Sequence, residues 1–184
     1  MGDYTTVSDV KAYLRIAGSG DDALLAALVS RASRLIEDHC GRWFEARTET
    51  RRYDAIGQHI SGPLLLLDAD LLSVSELVNG DGAVIPASAY VLRPPNWPPY
   101  FGISLRRSSG LAWTYSADPE EAIQVTGMWG YAATAPEPVA QAALRLTAWL
   151  YRQRDNGAEG AEALPADVRA LLGPYLRLRI KAVI

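Results

Sequence analysis

Apolar positions in the first forty residues recur at helical spacing. Leu25, Leu28, Val29, Ala32, Leu35, Ile36 and Cys40 line one face, while Ser30, Arg31, Arg34, Glu37 and Asp38 line the other. The stripe predicts a helix that Asp21-Asp22 caps and Gly41 closes, roughly 28 Å long at 1.5 Å per residue. Arg34 and Asp38 stand one turn apart and are expected to pair, for a few tenths of a kcal/mol. A shorter helix precedes it. Thr6-Val7-Ser8-Asp9 has the form of a capping box leading into Val10, Ala12, Tyr13 and Leu14, and Gly18-Ser19-Gly20 is its expected stop.

From about Ala46 to Ala133 the pattern changes to short β-type runs punctuated by Gly, Pro, Asn and Asp. Leu64 to Leu67 is an apolar run. Val74 to Val78 leads through Asn79-Gly80-Asp81-Gly82 into Ala83 to Ile85, which reads as a hairpin because Asn and Gly tolerate the positive φ of its turn. Ile103-Ser104-Leu105 alternates, and Ile123, Val125 and Gly127 oppose Gln124 and Thr126. Arg93 to Pro99 holds too many prolines for an interior strand and reads as a stiff exposed loop. Helix resumes after Pro136 and Pro138, from Val139 to about Arg154, with small side chains that allow close helix packing. Asp155-Asn156-Gly157 stops it, and Leu164-Pro165-Ala166-Asp167-Val168 opens a last short helix. The expected fold is α+β. Residues 1–45 and 134–184 would form a small helical domain, with an antiparallel β module, 46–133, inserted between them.

The chain end carries two competing periods. From Leu176 to Ile184, apolar and basic residues alternate, placing Leu176, Leu178, Ile180 and Ala182 opposite Arg177, Arg179 and Lys181 on an extended strand. Val168, Leu171, Leu172, Tyr175, Leu176 and Ile180 also keep helical spacing, although Gly173-Pro174 argues against one unbroken helix. A terminal strand needs a sheet edge, and no later strand of this chain supplies one.

Composition narrows the possibilities. A chain of 184 residues is one domain, or a domain with a large insertion, and buries roughly 70% of its unfolded surface. Its single cysteine, Cys40, allows no internal disulfide, and neither a signal stretch nor a long apolar span is seen, so a reducing cytoplasm is expected and a membrane is not. A formal charge of −3 is the wrong sign for a general DNA clamp. Its distribution is uneven, since from Pro165 onward four basic residues face one acidic residue.

Catalytic and metal signatures are scarce. His39 and His59 lack ligand-spaced companions, and adjacent helical residues such as His39 and Cys40 diverge too far to form a nucleophilic pair. Asp68 and Asp70, like Asn79-Gly80-Asp81-Gly82, read as turns rather than calcium ligands, because no closing Glu follows. Glu120 and Glu121 point apart as neighbours. Arg51-Arg52-Tyr53 and Arg106-Arg107 near aromatics suggest either a base-stacking sheet or, on the plainer reading, arginine stems covering a half-exposed strand. Trp97, Tyr100 and Phe101 on a proline-stiffened loop suit an inter-subunit or tail-side contact, because rigid aromatics supply contact area at low entropic cost.

The opening run from Thr6 to Ile16, Asp21 to Leu25 and Ala32 to Arg42 resembles the head-tail connector (adaptor) proteins of tailed phages and phage-like gene transfer particles. Val125 to Tyr131, Val139 to Arg154 and Leu164 to Leu172 are similar to that family's second half. The resemblance implies a non-enzymatic structural role without cofactor or metal. It implies a ring of about twelve copies beneath the portal, placed at the head-tail junction of a particle whose parts are made in a bacterial cytoplasm. Docking to the portal protein would use the C-terminal segment, here Tyr175, Leu176, Arg177, Leu178, Arg179, Ile180 and Lys181, and a tail-side stopper or completion protein would bind the other side. DNA would pass through the lumen without sequence-specific binding. Twelve copies would carry roughly −36, which favours sliding. The alternative function is a DNA-contacting accessory protein that uses Arg51, Arg52, Arg106 and Arg107.

Overall fold

A computed structural model describes residues 2–154 and 164–177. The chain divides into two compact units, a helical one of residues 2–44, 134–154 and 164–177 and a β unit of residues 45–133. The fold class is α+β, with four helices and a six-stranded sheet among the described residues.

In the helical unit, α1 (Val7–Leu14) starts as its sequence directs. Thr6 Oγ1 accepts the Asp9 amide at 3.1 Å and donates to the Asp9 carboxylate at 2.6 Å. It stops sooner than Gly18-Ser19-Gly20 suggested. Arg15 turns left-handed (φ 59°), its amide meets Ala12 O, and the Ile16 amide reaches back to Lys11 O at 2.9 Å, closing the last turn in a Schellman pattern. Ile16 then packs beside Val10, Leu25 and Val29, so burial of its side chain offsets the cost of a non-glycine residue at the turn.

Helix α2 (Asp22–Cys40) has the predicted bounds and ends at Gly41, with φ 66°. Leu25, Val29, Ala32, Ile36 and Cys40 are buried as the stripe requires, and Ser33 is buried with them. Two details differ from expectation. Arg34 pairs with Glu37 at 3.0 Å rather than with Asp38, and the Asp21 carboxylate caps no amide because it accepts the Tyr151 hydroxyl. Helix α3 (Glu137–Gln153) lies against α2 and buries Val139, Ala142, Ala143, Leu146, Thr147, Ala148 and Leu150. The alanines allow close approach, and Thr147 satisfies its hydroxyl on Ala143 O at 2.8 Å. Helix α4 (Ala166–Leu172) packs on α3 through Val168 and Leu172, and a single 3-10 turn, Gly173–Tyr175, follows it.

The β unit comprises β1 (Arg47–Tyr53), β2 (Ile60–Ser61), β3 (Leu64–Val78), β4 (Tyr90–Arg93), β5 (Tyr100–Leu105) and β6 (Ile123–Trp129). The order is β1-β6-β3-β5-β4, with β2 on the start of β3 and every pairing antiparallel. One strand organises the rest. The two apolar runs at Leu64 to Leu67 and Val74 to Val78 belong to the same long β3, whose first part pairs with β5 and whose later part pairs with β6. Asp68 and Asp70 therefore lie inside a strand, in the stretch where the register shifts, and are not turns as expected. The segment stays extended because both of its neighbours need a partner, which local turn propensity cannot register.

Strand β6 keeps the predicted alternation, burying Ile123, Val125 and Gly127, and extends it to Trp129. The turn at Asn79 to Gly82 is also as read. Asn79 N–H donates to Ala83 O at 2.8 Å, Gly82 N–H donates to Asn79 O at 2.9 Å, and Gly82 has φ 83°. Its return limb pairs only through the Val78–Val84 bridge. Arg93 ends β4 and Tyr100 begins β5, so Tyr100 and Phe101 sit on a strand and not on the loop tip where they were expected.

Gly127 has no room for a side chain, since a Cβ there would stand 2.0 Å from Ser73 O. Gly127→Ala is expected to cost roughly 3 kcal/mol or more through backbone displacement. Gly18→Ala, with nothing within 4 Å of its Cβ, should stay within about 0.5 kcal/mol. Urea unfolding of the two variants checks the contrast.

Candidate docking site

The C-terminal turn of α2 gathers both ends of the helical unit. Residues near the chain start run beside it, with Asp3 accepting the Ser30 hydroxyl at 2.9 Å and Gly2 O accepting from Arg34 at 2.8 Å. Tyr4 is buried there. Its amide donates to Ser33 Oγ at 3.1 Å, its hydroxyl donates to Glu37, and the same hydroxyl accepts the Phe44 amide at 3.0 Å. Burial and the Glu37 bond push the Tyr4 phenol well above its ordinary range, so it acts as a neutral donor. Phe44, fully buried, meets the edge of Tyr4 on one side and of Tyr175 on the other, with centroids 5.7 and 5.9 Å apart.

The sequence-predicted docking residues divide here. Tyr175 is half-buried on Phe44, Leu176 is extended and exposed, and the Arg177 amide donates to Cys40 O at 2.9 Å. Leu178, Arg179, Ile180 and Lys181 lie outside the described residues. Tyr4, Glu37 and Phe44 were missed in the sequence reading. No periodicity marks them, because their partners are 29 to 40 residues distant in the chain.

In the β unit, Trp97 is the most exposed large apolar side chain described, at 75%. It sits between Asn96, with φ 63°, and the Pro98-Pro99 pair. Tyr100 and Phe101 are half-buried on β5, so the structure separates the aromatic trio into one exposed tip and two strand residues.

Arginine is used differently from the nucleic-acid reading. Arg51 pairs with Glu49 and, at 2.7 Å, with Asp68, and its guanidinium lies 5.2 Å from the centroid of the Trp129 ring. Tyr53 donates to the other Asp68 oxygen at 2.7 Å. Burial works against both charges, but the bonds from Tyr53 and Arg51 outweigh it and hold the Asp68 carboxyl below its ordinary range. For Arg51 the bonds to Asp68 and Glu49 likewise outweigh burial and hold the guanidinium above its own. Arg51 thus braces β1 to β3. Arg52, Arg106 and Arg107 remain exposed.

Among the described residues no group of three or more His, Cys, Asp or Glu is placed to hold a metal ion. His59 places Nδ1 3.0 Å from Leu66 O and its ring edge against Tyr53 at 5.2 Å. Cys40 is buried, and that burial raises its thiol to about 11 against the opposing effect of Arg42. No described helix is long and apolar enough to cross a membrane.

Residues 4–64 match the family described as phage gp6-like head-tail connector protein. The first third of the chain is similar to those connectors. The matched region contains α1, α2, the Tyr4–Glu37–Phe44 node and all of β1. Similar folds extend over nearly the whole chain. A chain in the neck of a native GTA particle computed with C12 symmetry is 22% identical, with 97% of this chain and 96% of that one covered and a TM-score of 0.60. A chain in the neck of an empty GTA particle computed with C6 symmetry is 23% identical, covering 95% and 90%, with a TM-score of 0.59. A chain in the virion of a native gene transfer agent (GTA) particle is 23% identical over the same shares, with a TM-score of 0.62. No protein of curated function matches. The family resemblance read from the sequence is borne out.

Two outcomes test this geometry. A thiol reagent at pH 8 should leave Cys40 unmodified in the folded protein and modify it fully in denaturant. Asp68 has a depressed folded value, so the stability it contributes is present above the ordinary carboxylate range and lost as pH falls through the folded value. Its side chain is 54% exposed, which limits the contribution to about 1 kcal/mol. Asp68→Asn should therefore lower the melting temperature at pH 7 and narrow the difference from the parent at pH 3.

Proposed function

We propose that this protein is a structural head-tail connector that joins a capsid to a tail and catalyses no reaction. About twelve copies form a ring beneath the portal and extend the channel through which DNA passes without sequence-specific recognition. The reading places the protein at the head-tail junction of a phage or phage-like particle. The observation that carries it is the conjunction of the connector match over residues 4–64 with a shared fold over 97% of the chain in a neck computed with C12 symmetry.

In this reading the helical unit, drawn from both chain ends, is the connector domain, and the β unit is its insertion. The C-terminal segment docks on the portal protein. Its apolar positions would enter a groove or sheet edge while Arg177, Arg179 and Lys181 meet acidic groups, so that main-chain bonds supply affinity and charge supplies register. Trp97, with Tyr100 and Phe101 behind it, contacts the neighbouring subunit or the tail-side completion protein. An exposed indole on a short proline-rich loop loses little freedom when it is buried by a partner.

Truncation after Arg177 retains every described residue of the helical unit and is expected to fold normally while losing retention by immobilised portal rings. Undiminished retention would remove the docking role from the tail. Trp97→Ala should weaken ring or tail-side association by about 2 kcal/mol, with the subunit melting curve nearly unchanged. Sedimentation of the assembled particle neck beside a melt of the isolated subunit reads the two effects separately.

A further inference from the structure

Tyr175 and Arg177 are engaged within the helical unit at the point from which the proposed docking segment departs. The Tyr175 ring stands nearly perpendicular to Phe44, at 79°, and Phe44 is locked in turn by Tyr4 at 84°. Two residues later the Arg177 amide donates to the carbonyl of Cys40, the last residue of α2, a group that the helix itself leaves without an intrahelical donor. Gly41 clears the approach, turning at φ 66° with open space out to the Arg177 Cβ at 3.9 Å from its own ideal Cβ. Leu176, between the two anchors, is extended at φ −61° and ψ 130° and 45% exposed. One anchor fixes position; two anchors on alternate residues also fix direction.

We infer that Tyr175, seated on Phe44, and the Arg177 amide, seated on Cys40 O, form a clamp that fixes the point from which the docking tail departs, so that Tyr175 is a positioning residue and not a portal contact. The inference rests on the portal-docking reading and narrows it, because Tyr175 then leaves the set of contacting residues and the Arg177 main chain belongs to the clamp. Loss of the clamp would remove two of the contacts that hold residues 173–177 beyond the end of α4. Each of those residues would lose backbone freedom again on docking, whereas the clamp removes that freedom in the isolated subunit. The helix end also favours a basic residue at this position, since the carbonyls of the last α2 turn carry partial negative charge.

The test uses the full-length chain and purified portal rings. Binding is read by surface plasmon resonance, and protection of the Arg177 amide is read by hydrogen exchange in the free subunit. Tyr175→Ala should expose the Arg177 amide and weaken portal binding about tenfold. Tyr175→Phe, which keeps the ring edge and removes only the hydroxyl, should match the parent in both measurements. Truncation after Arg177 serves as the separate control for the docking reading itself. If the truncated chain binds like the parent, the docking reading falls. If truncation abolishes binding but Tyr175→Ala binds like the parent, the clamp falls and docking stands. Equal losses in Tyr175→Phe and Tyr175→Ala, with the Arg177 amide still protected, would make the tyrosine a direct contact and overturn the inference. Should Tyr175→Ala fail to fold, Tyr175→Leu retains apolar bulk without a ring edge, and the same two readouts decide.

Discussion

The last turn of α2 is the constraint on which the helical unit depends. A helix end leaves carbonyls without intrahelical donors, and here they are met by local and remote amides together. Gly41 and Arg42 return to Glu37 O, while the Arg177 amide takes Cys40 O. The Glu37 side chain, on the same turn, accepts the Tyr4 hydroxyl and pairs with Arg34. Tyr4, the turn from Glu37 to Arg42 and Arg177, far apart in sequence, thus meet at one helix end. Losing the Arg177 amide would take its donor from the carbonyl of buried Cys40, and leaving such a group unsatisfied costs more than the bond itself contributes.

In the β unit the corresponding role falls to β3. A strand of 15 residues serves two neighbours in succession, and its register shifts mark where it passes from β5 to β6. Regular alternation from Leu65 through Ala69 leaves Asp68 on the outer face, where Arg51 and Tyr53 reach it. That network uses an arginine which, on sequence grounds, was available to nucleic acid. Charge inside such a cluster is held by its partners, whereas Arg52, Arg106 and Arg107 stay exposed.

Function follows from what the two units leave exposed. The interiors are occupied by ordinary apolar packing and satisfied hydroxyls, Cys40 is protonated and buried, and His59 is held against Tyr53. What faces outward among the described residues is the Trp97 indole, the Leu176 side chain and charged helix faces. The proposed connector role draws on these outward features together with the similarity of residues 4–64 to head-tail connectors.

Much of the local structure was legible in the chain itself. Thr6 and Asp9 mark the start of α1, Gly41 the end of α2, Asn79 to Gly82 a tight turn, and the alternation from Ile123 to Trp129 a one-sided strand. These signals are short-range, carried by capping, glycine conformation and side-chain period, and so they survive without knowledge of the fold. The continuity of β3 through Asp68 and Asp70, the choice of Glu37 over Asp38 by Arg34, and the seating of Tyr175 on Phe44 were decided by tertiary structure alone. Each depends on a partner far away in sequence, and a local pattern holds no information about which distant group arrives to satisfy it.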